Sequence, residues 1–297
     1  MFSGMSAFPL TPLFDDAVDE RAFTGLVRRL AVARVDSITA LGSTGAAAYL
    51  TLEERARVAA LAVEHSQGVP VIVGVSALRT SHVLANVRAA ERAGAQGLLL
   101  APMSYQPLAD DDVFELFRSV LEATDLPVIL YDNPTTTHFT FTDQLYARIA
   151  KLPGLGSIKI PGVPRDPDEA LARVQQIRAL VPKHVTIGVS GDAVAADGLL
   201  AGCDSWYSVV GGTLPELATQ ITQLALSGPT GDAHAESERL RPLWDLFAEC
   251  GGSLRVVAAI AEHLGLVAPR CLPLPIQGLS DAQRIRVAEV VAALDLR

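Results

Sequence analysis

Lysine is scarce in this chain: three of its 24 basic residues are Lys151, Lys159 and Lys183, and the rest are arginine. Lys151 precedes Leu-Pro-Gly, where a helix ends, and Lys183 lies in the turn Val-Pro-Lys-His, both ordinary solvated places for a cation. Lys159 alone falls inside an apolar run, Ile158 to Ile160. A lysine must be neutral to attack a carbonyl carbon, and lowering its pKa from about 10.4 to about 7 requires roughly 4 to 5 kcal/mol. Burial supplies an effect of that size. The plainer reading of such a lysine is a cation snorkelling from a strand end or pairing with a carboxylate, so the reactive reading needs partners.

Candidate partners stand at the ends of two other apolar runs. Tyr131 closes Leu-Pro-Val-Ile-Leu-Tyr, and a phenol there can carry protons between an amine and a substrate oxygen. Ser43, Thr44 and Gly45, within Gly-Ser-Thr-Gly, combine two hydroxyls with backbone N–H groups that can cradle a carboxylate. Ser190 and Asp192 follow another apolar run, where a helix N-cap accounts for them as well as a ligand does.

For these residues to meet, the elements carrying them must converge. Short runs rich in Val, Ile and Leu recur near Met5–Phe8, Ser37–Leu41, Val69–Val73, Gly97–Ala101, Pro127–Tyr131, Gly156–Ile160, Val185–Val189 and Trp206–Val210, each followed by a stretch of helical period. Such brief, wholly apolar runs suit buried parallel strands. Helix starts are marked by Thr51 with Glu54, by Asp110 to Asp112, by Asp166 to Asp168 and by Pro215. No Gly-x-Gly-x-x-Gly follows the first strand and the spacing is even, so the pattern predicts a closed (β/α)₈ barrel over residues 1–230 rather than an open doubly wound sheet. In that fold reactive groups stand at the C-terminal ends of strands, where Ser43, Tyr131 and Lys159 all fall. Residues 231–297 read as a helical extension packed on the barrel, with helices over 234–250, 253–264 and 281–294.

The bulk numbers exclude other classes. Hydrophobic residues make up 49% of 297, enough for one large core, and no linker or block of like charge breaks the chain. A net charge of −9 works against binding a phosphate backbone, so nucleic acid is not an expected partner. The N-terminus lacks a secretory pattern and no apolar run reaches the roughly 20 residues that span a bilayer, which points to a cytoplasmic protein without membrane association. Cys203, Cys250 and Cys271 are too scattered for a disulfide framework or a zinc site, and none of the six histidines has metal-ligand spacing, so no metal is expected.

Taken together, these pieces resemble the dihydrodipicolinate synthase and N-acetylneuraminate lyase family across nearly the whole chain. The resemblance rests on Thr11 and Pro12 after the first strand, Gly42 to Gly45, Pro102, Tyr131 with Pro134 three residues on, the strand Gly-Leu-Gly-Ser-Ile-Lys-Ile, and Ser190 to Asp192. It implies a class I lyase or aldolase that uses pyruvate and an aldehyde, needs no cofactor, and assembles as a homotetramer or homodimer. By the same resemblance Lys159 matches the Schiff-base lysine, Tyr131 the proton-relaying tyrosine, and Ser43 and Thr44 the pair that holds the pyruvate carboxylate and extends the relay.

The chain departs from the family's synthases at four places. Ala46 stands where they carry glutamate, Ile160 replaces the acidic or polar residue that follows the lysine, and Thr136 replaces an arginine able to clamp a substrate carboxylate. Their adjacent tyrosines, the second of which reaches a neighbouring subunit's site, become Ser104, Tyr105 and Gln106, with Tyr105 one place out of register. These changes keep Schiff-base chemistry and weaken the expectation of dihydrodipicolinate synthase activity itself. The remaining reading is a 2-oxo-acid-binding or regulatory homologue without turnover.

Overall fold

Eight short strands alternate with helices in the computed structural model, which describes residues 2–296. The barrel strands are β1 (Gly4–Ala7), β2 (Ser37–Ala40), β3 (Val71–Gly74), β4 (Gly97–Leu100), β5 (Val128–Tyr131), β6 (Leu155–Ile160), β7 (Thr186–Val189) and β8 (Ser205–Ser208). Every neighbouring pair is parallel, and β8 returns to β1 to close the barrel. A parallel strand buried on both faces must be apolar throughout, and Val-Ile-Val-Gly and Gly-Leu-Leu-Leu are buried at every position.

Around the barrel run α1 (Glu20–Val32), α2 (Leu52–His65), α3 (Thr80–Ala93), α4 (Asp110–Leu121), α5 (Asp143–Ile149), α6 (Pro167–Leu180), α7 (Ala195–Leu200) and α8 (Pro215–Ser227). Their starts follow local chemistry. Thr51 and Glu54 form a reciprocal capping box before α2, and the Asp166 carboxylate accepts from the amides of Asp168 and Glu169 at the head of α6. Three aspartates fill the first turn of α4, and Pro215 opens α8.

The eighth strand is shorter than its apolar run predicts. Beyond Ser208 the amides of Val209 and Val210 donate to the Asp192 carboxylate at 3.2 and 2.8 Å instead of continuing a ladder, and the chain coils into a 3₁₀ turn at Val210–Gly212. The helix expected over 234–250 is also two: α9 (Thr230–Arg239) and α10 (Arg241–Glu249). Pro242 has no N–H to give to the preceding turn, so the helix restarts after Leu240 with proline in its first turn. Two further helices, α11 (Ser253–His263) and α12 (Asp281–Ala293), complete the C-terminal segment. Leu240, Leu243, Trp244 and Val256 to Ala261 join the apolar layer that also lies between strands and surrounding helices.

Inside the barrel a separate apolar cluster is built from Phe8, Ile72, Leu99, Ala101, Ile129, Tyr131 and Tyr207. Register places Tyr131 of β5 beside Lys159 of β6, and Lys159 beside Gly188 of β7. A Cβ at Gly188 would lie 2.3 Å from both the Ser205 hydroxyl and the Tyr207 ring, so only glycine lets that ring cross the barrel at the level of the lysine.

Candidate active site

Lys159 is 2% exposed, with its Nζ 4.1 Å from the ring centre of Tyr131, 5.1 Å from Phe8 and 5.8 Å from Tyr207. Three ring faces attract an ammonium, each by about 0.5 to 2 kcal/mol when desolvated. Loss of water outweighs this attraction: burial brings the amine down to about 7, against a smaller opposing pull from the Asp192 charge. Near neutral pH a large share of the amine is therefore unprotonated and nucleophilic. Lys151 and Lys183 are exposed, as their sequence contexts predict.

The Tyr131 phenol is the hydroxyl of the same layer. Burial pushes it up to about 12, and a hydrogen bond with Ser43 works in the opposite direction. Its oxygen accepts from the Asn133 side-chain amide at 2.8 Å, and the same nitrogen lies 3.4 Å from the Ser43 hydroxyl. Tyr131, Ser43 and Asn133 thus form a triangle of polar groups at the barrel mouth. Asn133 escaped the sequence reading, although its place two residues beyond Tyr131 was the available signal.

The loop bearing Ser43, Thr44 and Gly45 is bent by Leu41 and Ala46, both left-handed with φ of 59° and 51°, and the Ser43 carbonyl accepts from the Ala46 amide. It reaches the barrel mouth because β3 ends in glycine: a Cβ at Gly74 would sit 1.9 Å from the Leu41 carbonyl oxygen. Ser43 is exposed and Thr44 buried, while Gly45 packs on the Leu41 backbone and the Thr11 hydroxyl. Thr136 is exposed on the short helix Pro134–Thr137 that follows β5.

Two expected ligands are already occupied. The buried Asp192 carboxylate accepts from the Trp206 indole at 3.0 Å, the Ser208 hydroxyl at 3.4 Å and the amides of Val209 and Val210, so its oxygens brace the end of β8. Ser190 donates to the Ile160 carbonyl at 2.7 Å and ties β6 to the loop after β7. These bonds support the strand ends, and Asp192 adds a negative charge felt by Lys159. Tyr105 is 90% exposed and does not enter its own chain's site.

Behind β5, on the side away from the barrel interior, Asp132 is buried under α5 and accepts from the Tyr146 hydroxyl at 2.5 Å. Burial pushes its carboxyl up to about 6, against the lowering effects of Tyr146 and Arg173. The Asp132 amide donates to the Lys159 carbonyl at 3.0 Å, which holds the two strand ends together. Among the described residues no three His, Cys, Asp or Glu side chains converge as a metal site, and no helix is long and apolar enough to cross a membrane. A surface cavity of about 730 Å³ lies apart from the lysine, between the turn at Asp15 and Asp16 and the segment Pro269–Leu279.

The fold and the buried amine define a closed parallel (β/α)₈ barrel with a lysine at the end of its sixth strand. Comparison with known proteins makes the class specific: the sequence model of the dihydrodipicolinate synthetase family matches residues 1–294, and the chain belongs to that family. It is 32% identical to a 4-hydroxy-tetrahydrodipicolinate synthase of Phenylobacterium zucineum over 297 residues, covering 99% of this chain and 97% of that one. Among solved structures, a dihydrodipicolinate synthase from Agrobacterium tumefaciens superposes with a TM-score of 0.94 at 43% identity, covering 99% of this chain and 98% of that one. The dihydrodipicolinate synthase of Thermotoga maritima superposes with a TM-score of 0.91 at 25% identity, with both chains fully covered.

Proposed function

We propose that this protein is a class I lyase or aldolase that makes or breaks a carbon–carbon bond next to a 2-oxo acid, pyruvate first among them, through a Schiff base on Lys159. The observation that carries this reading is a fully buried lysine whose amine is brought down to about 7, set against the ring of a tyrosine on the adjacent strand. Family membership and the names of the relatives support it.

The steps follow from the groups present. The neutral Lys159 amine adds to C2 of the 2-oxo acid, and its excess proton passes to the former carbonyl oxygen, giving a carbinolamine. The Tyr131 phenol then gives its proton to that hydroxyl, which leaves as water, so an iminium cation and a phenolate form together. The phenolate removes a proton from C3 of the iminium, which yields the nucleophilic enamine and restores the phenol. In the condensing direction the enamine C3 attacks the aldehyde carbon, the new alkoxide takes the proton of the Tyr131 phenol, and water adds to the regenerated iminium, returning a proton to the phenolate, to release the product and the free Lys159 amine; cleavage runs the same steps in reverse. Ser43 and Thr44, with the backbone N–H groups of Thr44 and Gly45, are suited to hold the substrate carboxylate, and exposed Thr136 faces the second substrate.

A narrower reading, 4-hydroxy-tetrahydrodipicolinate synthase, is favoured by the names of the relatives and weakened by Thr136, which offers an acidic aldehyde no charge. We place the catalytic unit in residues 1–230 with residues 231–297 packed on it. We also infer a cytoplasmic homotetramer or homodimer, in which the exposed Tyr105 is free to meet a second copy; light scattering after gel filtration reports that mass.

The test is borohydride reduction in the presence of a panel of 2-oxo acids, read by intact mass and peptide mapping. One adduct per chain on Lys159 is expected with pyruvate. Labelling of Lys151 or Lys183, or none with any 2-oxo acid, overturns the reading and leaves a non-catalytic binding homologue.

A further inference from the structure

Asn133 occupies the N-cap of the helix Pro134–Thr137, where asparagine ordinarily turns its side-chain oxygen back onto the helix amides. Here that cap bond is not made. Its backbone carbonyl is held instead, accepting from the amides of Thr136 and Thr137 at 3.0 and 2.9 Å and from the Thr137 hydroxyl at 3.0 Å. With the backbone clamped, the side-chain amide points at the Tyr131 phenol oxygen, 2.8 Å away, and toward the Ser43 hydroxyl at 3.4 Å.

We propose that Asn133 is a positioning residue for proton transfer: its amide donates to the phenol oxygen of Tyr131 and to Ser43, stabilising the phenolate that forms when the phenol gives up its proton. This inference rests on the reading of Lys159 and Tyr131 given above. An amide NH₂ has two hydrogens and no lone pair to offer, so it occupies acceptor positions on both oxygens and leaves their own protons free to be passed on. The phenol of Tyr131 is buried, and a buried phenolate without donors is costly. Among the described residues, Asn133 and Ser43 hydrogen-bond that oxygen. Both come from the mouth of the barrel in the same chain.

The competing role, a helix cap, makes the opposite demand on chemistry. Aspartate caps helices as well as asparagine does, and it has the same shape. It cannot donate, however, and its charge opposes the phenolate.

The experiment compares wild type, Asn133→Asp and Asn133→Ala in full-length protein, using exchange of pyruvate methyl protons with deuterium oxide followed by proton NMR. Exchange requires the iminium to lose and regain a C3 proton and needs no aldehyde. Loss of a donor to a buried anion slows this step by roughly 10- to 100-fold. Both variants should show that loss, Asn133→Asp at least as severely as Asn133→Ala, with the alkaline limb of the rate profile moved to higher pH. The extent of borohydride-trapped adduct at long times and the unfolding temperature should stay close to wild type. Wild-type exchange in Asn133→Asp overturns the proposal and assigns Asn133 to capping alone. A loss of exchange matched by a large fall in unfolding temperature overturns it as well. If wild type neither traps pyruvate nor exchanges its protons, the Schiff-base reading itself fails, and the role of Asn133 falls with it.

Discussion

Replacing Lys159 by methionine should abolish adduct formation and at the same time stabilise the fold, by an amount that depends on pH in a defined way. In the unfolded chain the amine titrates near 10.5, whereas in the folded protein burial brings it down to about 7. Above the unfolded value both states hold a neutral amine and the lysine carries no ionic penalty. As pH falls below it, the unfolded chain takes up a proton that the folded chain refuses, so folding becomes less favourable by about 1.4 kcal/mol per pH unit. The penalty is complete once pH falls below the folded value, and the gap between 10.5 and about 7 then amounts to about 5 kcal/mol. Lys159 is buried in full, so solvent screening does not reduce that figure.

Methionine has a similar unbranched length and no charge, so it fills the space between the Phe8, Tyr131 and Tyr207 rings without the penalty. The assay is denaturant unfolding of both proteins at several pH values. Between about pH 9.5 and about pH 7.5, the stability advantage of Lys159→Met should widen by about 3 kcal/mol, the signature of one proton. Parallel stability curves for the two proteins across that range would refute the claim that burial holds this amine neutral. The slope is the decisive quantity, because a packing difference between lysine and methionine shifts both ends of the range equally.

Thr136→Arg should lower the KM for aspartate semialdehyde by about tenfold, since a charge-assisted bond is worth about 1.5 to 3 kcal/mol against about 1 for a neutral one, and should leave pyruvate binding unchanged. Steady-state comparison with neutral aldehydes checks this, and efficient native turnover of aspartate semialdehyde that the arginine does not improve would show that another group recognises the carboxylate. Activity should persist after exhaustive chelation, because the iminium nitrogen serves as the electron sink. Loss of turnover on chelation, restored by a divalent cation, would require a different mechanism.

The barrel was legible because its strands are buried on both faces, so apolar runs such as Val71–Gly74 and Gly97–Leu100 stand out without knowledge of their neighbours. Helix starts were legible for a related reason: Thr51 with Glu54 caps through atoms only three residues apart. Where a tertiary contact decides the outcome, sequence was silent. The end of β8 is set by Asp192 claiming two amides 17 and 18 residues away, and the break at Leu240 comes from Pro242 opening a second helix within the span expected as one.

The same division runs through the site. Lys159 is visible because a cation in an apolar strand is costly and therefore needs an explanation. Asn133 is invisible for the opposite reason: asparagine before proline is an ordinary way to begin a helical turn, and only the direction of its amide reveals that the cap has been given up. Asp192 presents the converse case, a carboxylate after a strand that looks available until its hydrogen bonds are counted. Its four donors commit its oxygens to architecture while its charge still reaches the lysine. Residues whose chemistry conflicts with their surroundings can thus be found from sequence, whereas residues whose chemistry suits a bland local role must be found by tracing where each polar atom's bond goes.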